Sequence, residues 1–526
     1  MLSSRSGTLA ALGAVLLIAV GGCSREDATQ ASDEVAVENA HIDWFDGTVD
    51  DALIAAQDRN QPIFLYWGAK WCPPCMQLKT TVFNRPDFIR ITELFIPVYL
   101  DGDTTGAQKW GDHFGIVGYP TLIVLRPDGT ELTRISSGMD LEAYPRVLKI
   151  ASKQTRPAGE ILAAAQDEPE SLTGDDWQLL ANYGWWVDRG RVLGERPMAE
   201  VMAMLARTAP TPELREQFEL LEFAALLSAA DDPTVLLTES QQQRAASLLT
   251  NLIESPERLR ANIDTLNYFA VDIVMAAGAD AEGREALGAK LDQAMRQVAK
   301  AEDYTIKDRL YAARTRVELE KALHPDEPLS PDLIAEVRDT VAWADEAAET
   351  PQERQGMANY ATYTLESAGL DEDAEALLLK EIEQSPDAYY FMPTLADYAQ
   401  RRGDTDDALE WLERAYREAR GPATRAQWGM IYVGGLLEMR PDDAETIEQV
   451  MMQIIDELDA DPSAFYQRTQ MRFARMDGEL REWSAEHDGQ AVLKALDASM
   501  DRVCEQLPES SDISGDCRSL FSASAS

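Results

Sequence analysis

Trp71-Cys72-Pro73-Pro74-Cys75 holds the side chains best suited to covalent chemistry in this chain of 526 residues. Two thiols separated by two residues serve as a reversible dithiol–disulfide pair or as half of a zinc site. Zinc needs two more ligands. The sequence has no second close cysteine pair and only four scattered histidines, His41, His113, His324 and His487. The pattern therefore points to redox chemistry with no metal, and no cofactor beyond the Cys72–Cys75 pair is expected. Nor can four distant histidines assemble a Ser-His-Asp constellation. The flanks agree with a redox site: Ile63-Phe64-Leu65-Tyr66-Trp67 reads as a strand before the pair, and Met76-Gln77-Leu78-Lys79 as a helix after it. Cys72 then falls at a helix N-terminus, where unpaired N–H groups and the dipole favour a thiolate, with Lys70 as a nearby positive charge. Cys72 is the expected nucleophile, forming a mixed disulfide with a partner, and Cys75, one turn on, the resolving thiol.

The elements that must position this pair fit one α/β domain over residues 41–153. Thr48 can cap a helix with Asp50 and Asp51 in its first turn, running to about Arg59. Further strands are predicted at Phe95–Leu100, Thr121–Leu125 and Glu131–Ile135, with a short helix near Thr105–His113 and a last one from Asp140. Asp128-Gly129 is a hairpin signal. Helices between the first strands imply parallel pairing, and the tight turn makes the last pair antiparallel.

This order of elements, Trp71-Cys-x-x-Cys at a helix start, and Gly118-Tyr119-Pro120-Thr121 before the third strand resemble thioredoxin. The resemblance covers roughly a fifth of the chain. It implies that Pro120 is cis, packs beside the dithiol and, with Trp71 and Tyr119, presents backbone and side chains to an extended substrate segment. Gly-Tyr-Pro-Thr also resembles the same site in protein disulfide isomerases. The compact spacing and Lys79-Thr80-Thr81-Val82-Phe83 are similar to the periplasmic thiol–disulfide reductase branch, which implies a reductase rather than an oxidase. Tyr66 departs from the pattern: thioredoxins carry there a buried Asp that helps deprotonate the second cysteine. The direction of electron flow stays open, since potentials in this superfamily span roughly −270 to −120 mV and the Pro-Pro dipeptide does not place the site on that scale.

Residues 1–22 resemble a bacterial lipoprotein signal. Arg5 precedes a twelve-residue apolar stretch, Leu9–Val20, too short to span a bilayer, and Val20-Gly21-Gly22-Cys23 matches a lipobox. Cys23 is the expected lipidated residue, and 23–40 reads as a polar, acidic tether. The expected location is the bacterial cell envelope, lipid-anchored and facing the periplasm, with Ser24 after the cysteine favouring the outer over the inner membrane. Contact with the membrane is through the anchor alone. Expected partners are envelope proteins bearing thiols or disulfides, and a protein that donates or accepts electrons. Cys504 and Cys517 remain, either as two free thiols or as a structural disulfide in a C-terminal tail, 501–526.

Residues 155–500 read as all-helical. Thr211-Pro212-Glu213, Ser330-Pro331-Asp332 and Thr350-Pro351-Gln352-Glu353 are helix starts. Gly369, Ala374 and Leu378 recur as Gly403, Ala408 and Leu412 at a shift of 34, which resembles the tetratricopeptide repeat and is clearest over 356–420. Trp177, Trp185 and Trp186 read as core. The formal net charge is −44, and residues 154–526 hold 35 Lys+Arg against 73 Asp+Glu. Nucleic acid and anionic lipid would be repelled. The sequence thus describes a thioredoxin-like α/β domain followed by a helical-repeat region. Its function reads as envelope thiol–disulfide exchange, or alternatively as an assembly scaffold in which the small domain only docks.

Overall fold

The computed structural model describes residues 41–116, 118–228, 237–507 and 512–522. The lipobox, Cys23 and the tether lie outside them. Four strands form one mixed sheet in the order β2-β1-β3-β4: β1 (Ile63–Gly68), β2 (Ile96–Asp101), β3 (Thr121–Leu125) and β4 (Glu131–Ile135). β1 and β2 are parallel, with Ile63 opposite Ile96, while β1–β3 and β3–β4 are antiparallel. β1 and β3 are buried at every position, which explains why both read as unbroken apolar runs rather than alternating ones.

Five helices pack on this sheet: α1 (Val49–Arg59), α2 (Pro73–Thr81), α3 (Pro86–Thr92), α4 (Ala107–His113) and α5 (Ala143–Ala151). Thr48 caps α1 in a capping box with Asp51. The sequence patterns miss α3, although Pro86 at its first position and Asp87 in its first turn are both start signals. The last helix begins three residues after Asp140, because Asp140 accepts the N–H of Glu142 in a turn before it.

Beyond residue 155 the described chain is helical, from α6 (Ala158–Asp167) to α24 (Asp512–Ser519). Thr211, Ser330 and Thr350 each accept a backbone N–H from the first turn that follows. Gly369 and Gly403 both have positive φ, 70° and 80°, after helix ends. That left-handed geometry suits glycine, so the 34-residue spacing reports a repeated turn. After those turns, Ala374 on α17 (Asp371–Gln384) and Ala408 on α19 (Thr405–Glu418) are fully buried where helices pack closely.

Cys504 and Cys517, read as either free thiols or a bridge, sit in α23 (Gln490–Glu505) and α24 and are joined as a buried disulfide with Cα atoms 5.6 Å apart. One expectation needs correction. Trp177 and Trp185 are buried, but Trp186 is 46% exposed and stacks on Phe269 at 5.5 Å.

From Ile42 onward the chain is one compact unit. A single core cluster runs from Phe64, Cys75 and Val124 through Leu180 and Trp428 to Phe521. The outer edge of β4 is covered by the helical part: Gly184 N–H donates to the Arg134 carbonyl at 3.0 Å, and Ser136 N–H to that of Asn182 at 3.2 Å. An exposed strand edge is thereby closed by the chain's own backbone.

Candidate active site at the dithiol

β1 ends at Gly68, and four residues later Cys72 caps α2. Pro73 and Pro74 occupy the first two helical positions, where a missing N–H costs least. The first N–H available at this helix end is therefore that of Cys75, and it donates to Cys72 Sγ at 3.2 Å. The two cysteines are joined in a disulfide with Cα atoms 5.2 Å apart. In the reduced form the same N–H and the helix dipole would favour a thiolate on Cys72. Lys70 points into solvent and lies 3.9 Å from Asp101, so its charge is shared with that carboxylate.

The Tyr119–Pro120 peptide is cis. The Tyr119 ring stacks on Trp67 and meets Trp71 edge-on, both at 5.6 Å, and its hydroxyl accepts from Gln108 Nε2 at 3.2 Å. Trp71, Tyr119 and the dithiol are thus brought together through one aromatic layer.

Behind the pair, Tyr66 is fully buried, stacked on Tyr99 at 5.2 Å and edge-on to Phe83 at 4.8 Å. Its hydroxyl has no hydrogen-bond partner among the described residues. Burial pushes its pKa well above the usual phenol range, with the charge of Asp101 adding to the shift. A phenol that stays protonated cannot take the proton of Cys75 as a buried carboxylate would.

The helical part covers this site. Trp71 Nε1 donates at 2.9 Å both to Asp103 and to Thr424 on α20 (Pro422–Met439). The Trp71 carbonyl accepts from Gln355 Nε2 at 2.8 Å, and Gln77 accepts the Tyr360 hydroxyl at 2.8 Å. Gln355 and Tyr360 lie on α16 (Pro351–Ser367), and Gly356 between them faces α2: a Cβ there would make ordinary van der Waals contact, 3.6 Å from the Pro73 carbonyl oxygen and from Gln77. Trp71 is boxed by Tyr390 and Trp428, each 6.0 Å away. The Arg468 guanidinium stands 4.3 Å over the Tyr119 ring. In consequence Cys72 is 3% exposed.

Asp103 lies at the centre of this contact. The Thr424 hydroxyl donates to it, yet burial dominates and raises its pKa to about 6, against the hydrogen bonds from Thr424 and Trp71 that favour the carboxylate. Asp103, Gln355, Tyr360, Tyr390, Thr424, Trp428 and Arg468 belong to no motif in the sequence. The six on helical elements lie at least 280 residues from Cys72, and no local signal ties them to it.

Residues 49–151 match the family model described as a thioredoxin-like domain. This segment is a thioredoxin-like domain. No curated protein matches the chain. A solved structure named DsbH oxidoreductase is 20% identical, over 22% of this chain and 88% of its own, with a TM-score of 0.20. At that identity and score it adds nothing to the fold described above. The thioredoxin-like domain accounts for the sheet, the dithiol helix and the proline loop, and the helical region packed on its dithiol face lies beyond the matched residues.

Proposed function

We propose that this protein is a thiol–disulfide oxidoreductase of the cell envelope. The observation that carries the reading is Cys72 at the N-terminus of α2, its sulfur receiving the first available helix N–H and bonded to Cys75. A reduced Cys72 thiolate attacks one sulfur of a client disulfide, forming the Cys72–client bond and releasing the other client sulfur as a thiolate. Cys75, once deprotonated, then attacks Cys72 Sγ, re-forming the internal disulfide and releasing the second client thiol. The client gains the two electrons that the dithiol loses, and a dithiol protein must return them for turnover. The similarity of the sequence to periplasmic reductases supports the reducing direction. The lipobox-like Cys23 supports a lipid anchor, with clients and electron donor among envelope proteins and no cofactor besides the cysteine pair.

The equilibrium potential of the Cys72–Cys75 pair tests this. A value of about −220 mV or lower is expected for a reductase; about −180 to −120 mV would make the protein an oxidase or isomerase. Cys75→Ser should accumulate mixed disulfides with envelope proteins, and Cys72→Ser should abolish exchange.

A second reading is favoured by one observation, the near-complete burial of Cys72 under the helical region. In it the disulfide is static and the thioredoxin-like domain serves as a docking module of a scaffold. Full function of a Cys72→Ser/Cys75→Ser double variant in cells would support that reading.

A further inference from the structure

A cavity of about 320 Å³ lies where the turn after β4, at Ser136 to Met139, meets the helical region. Its other walls come from Ala181 to Val187, from α10 (Pro212–Leu227) and from α12 (Pro256–Ala277). That volume is at the small end of the range of about 300–1,000 Å³ typical of ligand sites. Neither cysteine of the dithiol lines it. We infer that this cavity binds a small organic cation, a protonated amine carried on an aromatic body. The inference is independent of the oxidoreductase reading.

Three observations carry it, and the first is charge. Among the described residues no Lys, Arg or His lines the cavity, and its one charged side chain is Asp264. Lys307 pairs with Oδ1 of that carboxylate, and Oδ2 lies against Gly138, where a Cβ would collide with it. The neighbouring cavity of about 490 Å³ beside Pro120, walled by Tyr311, Tyr360 and Tyr390, differs in having Lys307 and Arg314 in its lining. An anion entering the smaller cavity meets no cation there, and a formal net charge of −44 favours positive ligands near the protein.

The second observation is an excess of acceptors. Asn182 is only 8% exposed; its Nδ2 donates to the Gln178 carbonyl at 2.8 Å, which leaves Oδ1 without a partner. Gln217 Nε2 donates to the Ala181 carbonyl and Asn262 Nδ2 to that of Arg258, both at 2.9 Å. All three carboxamides line the cavity, turn their donors to backbone and keep an oxygen that can only accept. A nearly buried acceptor with no partner is unfavourable, and an ammonium N–H supplies what it lacks.

The third is aromatic. Trp186, Tyr268 and Phe269 line the cavity; Trp186 is 46% and Tyr268 51% exposed, and Trp186 stacks on Phe269. Elsewhere the chain sets its own guanidinium over such rings: Arg309 stands 3.3 Å over Trp343, and Arg414 5.3 Å over Trp411. Among the described residues no Lys or Arg covers Trp186, Tyr268 or Phe269. Their faces remain available to a cation from outside and to the ring that carries it.

Titration calorimetry on the full chain, at about 0.15 M salt to screen the acidic surface, compares phenethylamine, 2-phenylethanol and 3-phenylpropionate. The amine should bind roughly tenfold more tightly than the alcohol, and the carboxylate more weakly than either. Trp186→Ala removes an exposed ring that the fold does not need, and should weaken amine binding by roughly tenfold. Asn182→Leu should weaken the amine more than the alcohol. Attraction to the acidic surface alone would survive both substitutions. No binding of the amine, an alcohol or carboxylate bound as tightly as the amine, or amine binding unchanged in either variant would overturn the inference.

Discussion

The thioredoxin-like domain and the helical region solve different physical problems. The domain builds its site from residues close in sequence: Trp71, Cys72 and Cys75 fall within five positions, and α2 places them by its own capping. The helical region contributes through residues far apart in sequence. Gln355, Tyr390, Thr424 and Arg468 reach the same face from three helices and a 3-10 turn. Charge divides the same way, with 11 Lys+Arg against 14 Asp+Glu over residues 41–153 and a large acidic excess beyond them. The difference teaches that the chemistry is local whereas access to it is not. A dithiol that a thioredoxin-like segment alone would present to any client is here governed by tertiary contacts.

Breaking the contact at its centre should have the largest effect. Trp71→Ala removes a buried indole that touches both regions, and about 3–5 kcal/mol of stability should be lost. Chemical denaturation would measure it, and a loss below about 1 kcal/mol would mean that the two regions barely depend on each other. Next, Cys504→Ser opens a disulfide that closes a separation of 13 residues at the far end of the helical region. It should cost about 3 kcal/mol by loop entropy while leaving the potential of the Cys72–Cys75 pair unchanged. A shifted potential would show that the two ends of the core are coupled.

Gly356→Leu sharpens the comparison more directly. A Cβ at Gly356 would already stand in van der Waals contact, 3.6 Å from Pro73 and Gln77, so the further carbons of a leucine must press α16 and α2 apart. The overpacking should cost about 1–3 kcal/mol and lift α16 off α2. Alkylation of reduced Cys72 should then accelerate by roughly tenfold, corresponding to about 1.4 kcal/mol. Unaltered alkylation would mean that α16 does not guard the thiol.

The smallest effect concerns pH. Asp103 has a folded-state pKa raised to about 6 from an ordinary 3.8, chiefly by burial. The folded state therefore binds its proton more tightly than the unfolded state. Stability from this group rises as pH falls from about 6 towards 3.8 and is lost as pH climbs back through 6. Asp103→Asn keeps an acceptor for the Trp71 N–H and should remove this dependence. The melting temperature of the parent should gain on that of the variant by on the order of 1 °C across this window. Parallel curves would place the titration elsewhere.

Much of the small domain was legible because its signals are short-range. β3 and β4 lie where the apolar run and Asp128-Gly129 place them, and Thr48 and Thr350 cap the helices that their patterns announce. The 34-residue spacing of Gly369 and Gly403 anticipates two equivalent left-handed turns. Trp186 was misread as core because composition alone does not tell which face of a four-residue helix meets solvent.

What the sequence determined by itself is the dithiol, the helix that bears it, the strand before it and the helical character of the rest. Each of these follows from hydrogen-bond capping and hydrophobic period over a few turns of chain. Only the tertiary structure decided that Cys72 is covered, that Asp103 joins Trp71 to Thr424, and that a tyrosine-walled cavity survives beside Pro120. Those features depend on side chains about 190 to 400 positions apart in the chain, and no local periodicity encodes which of many buried or half-buried faces will meet.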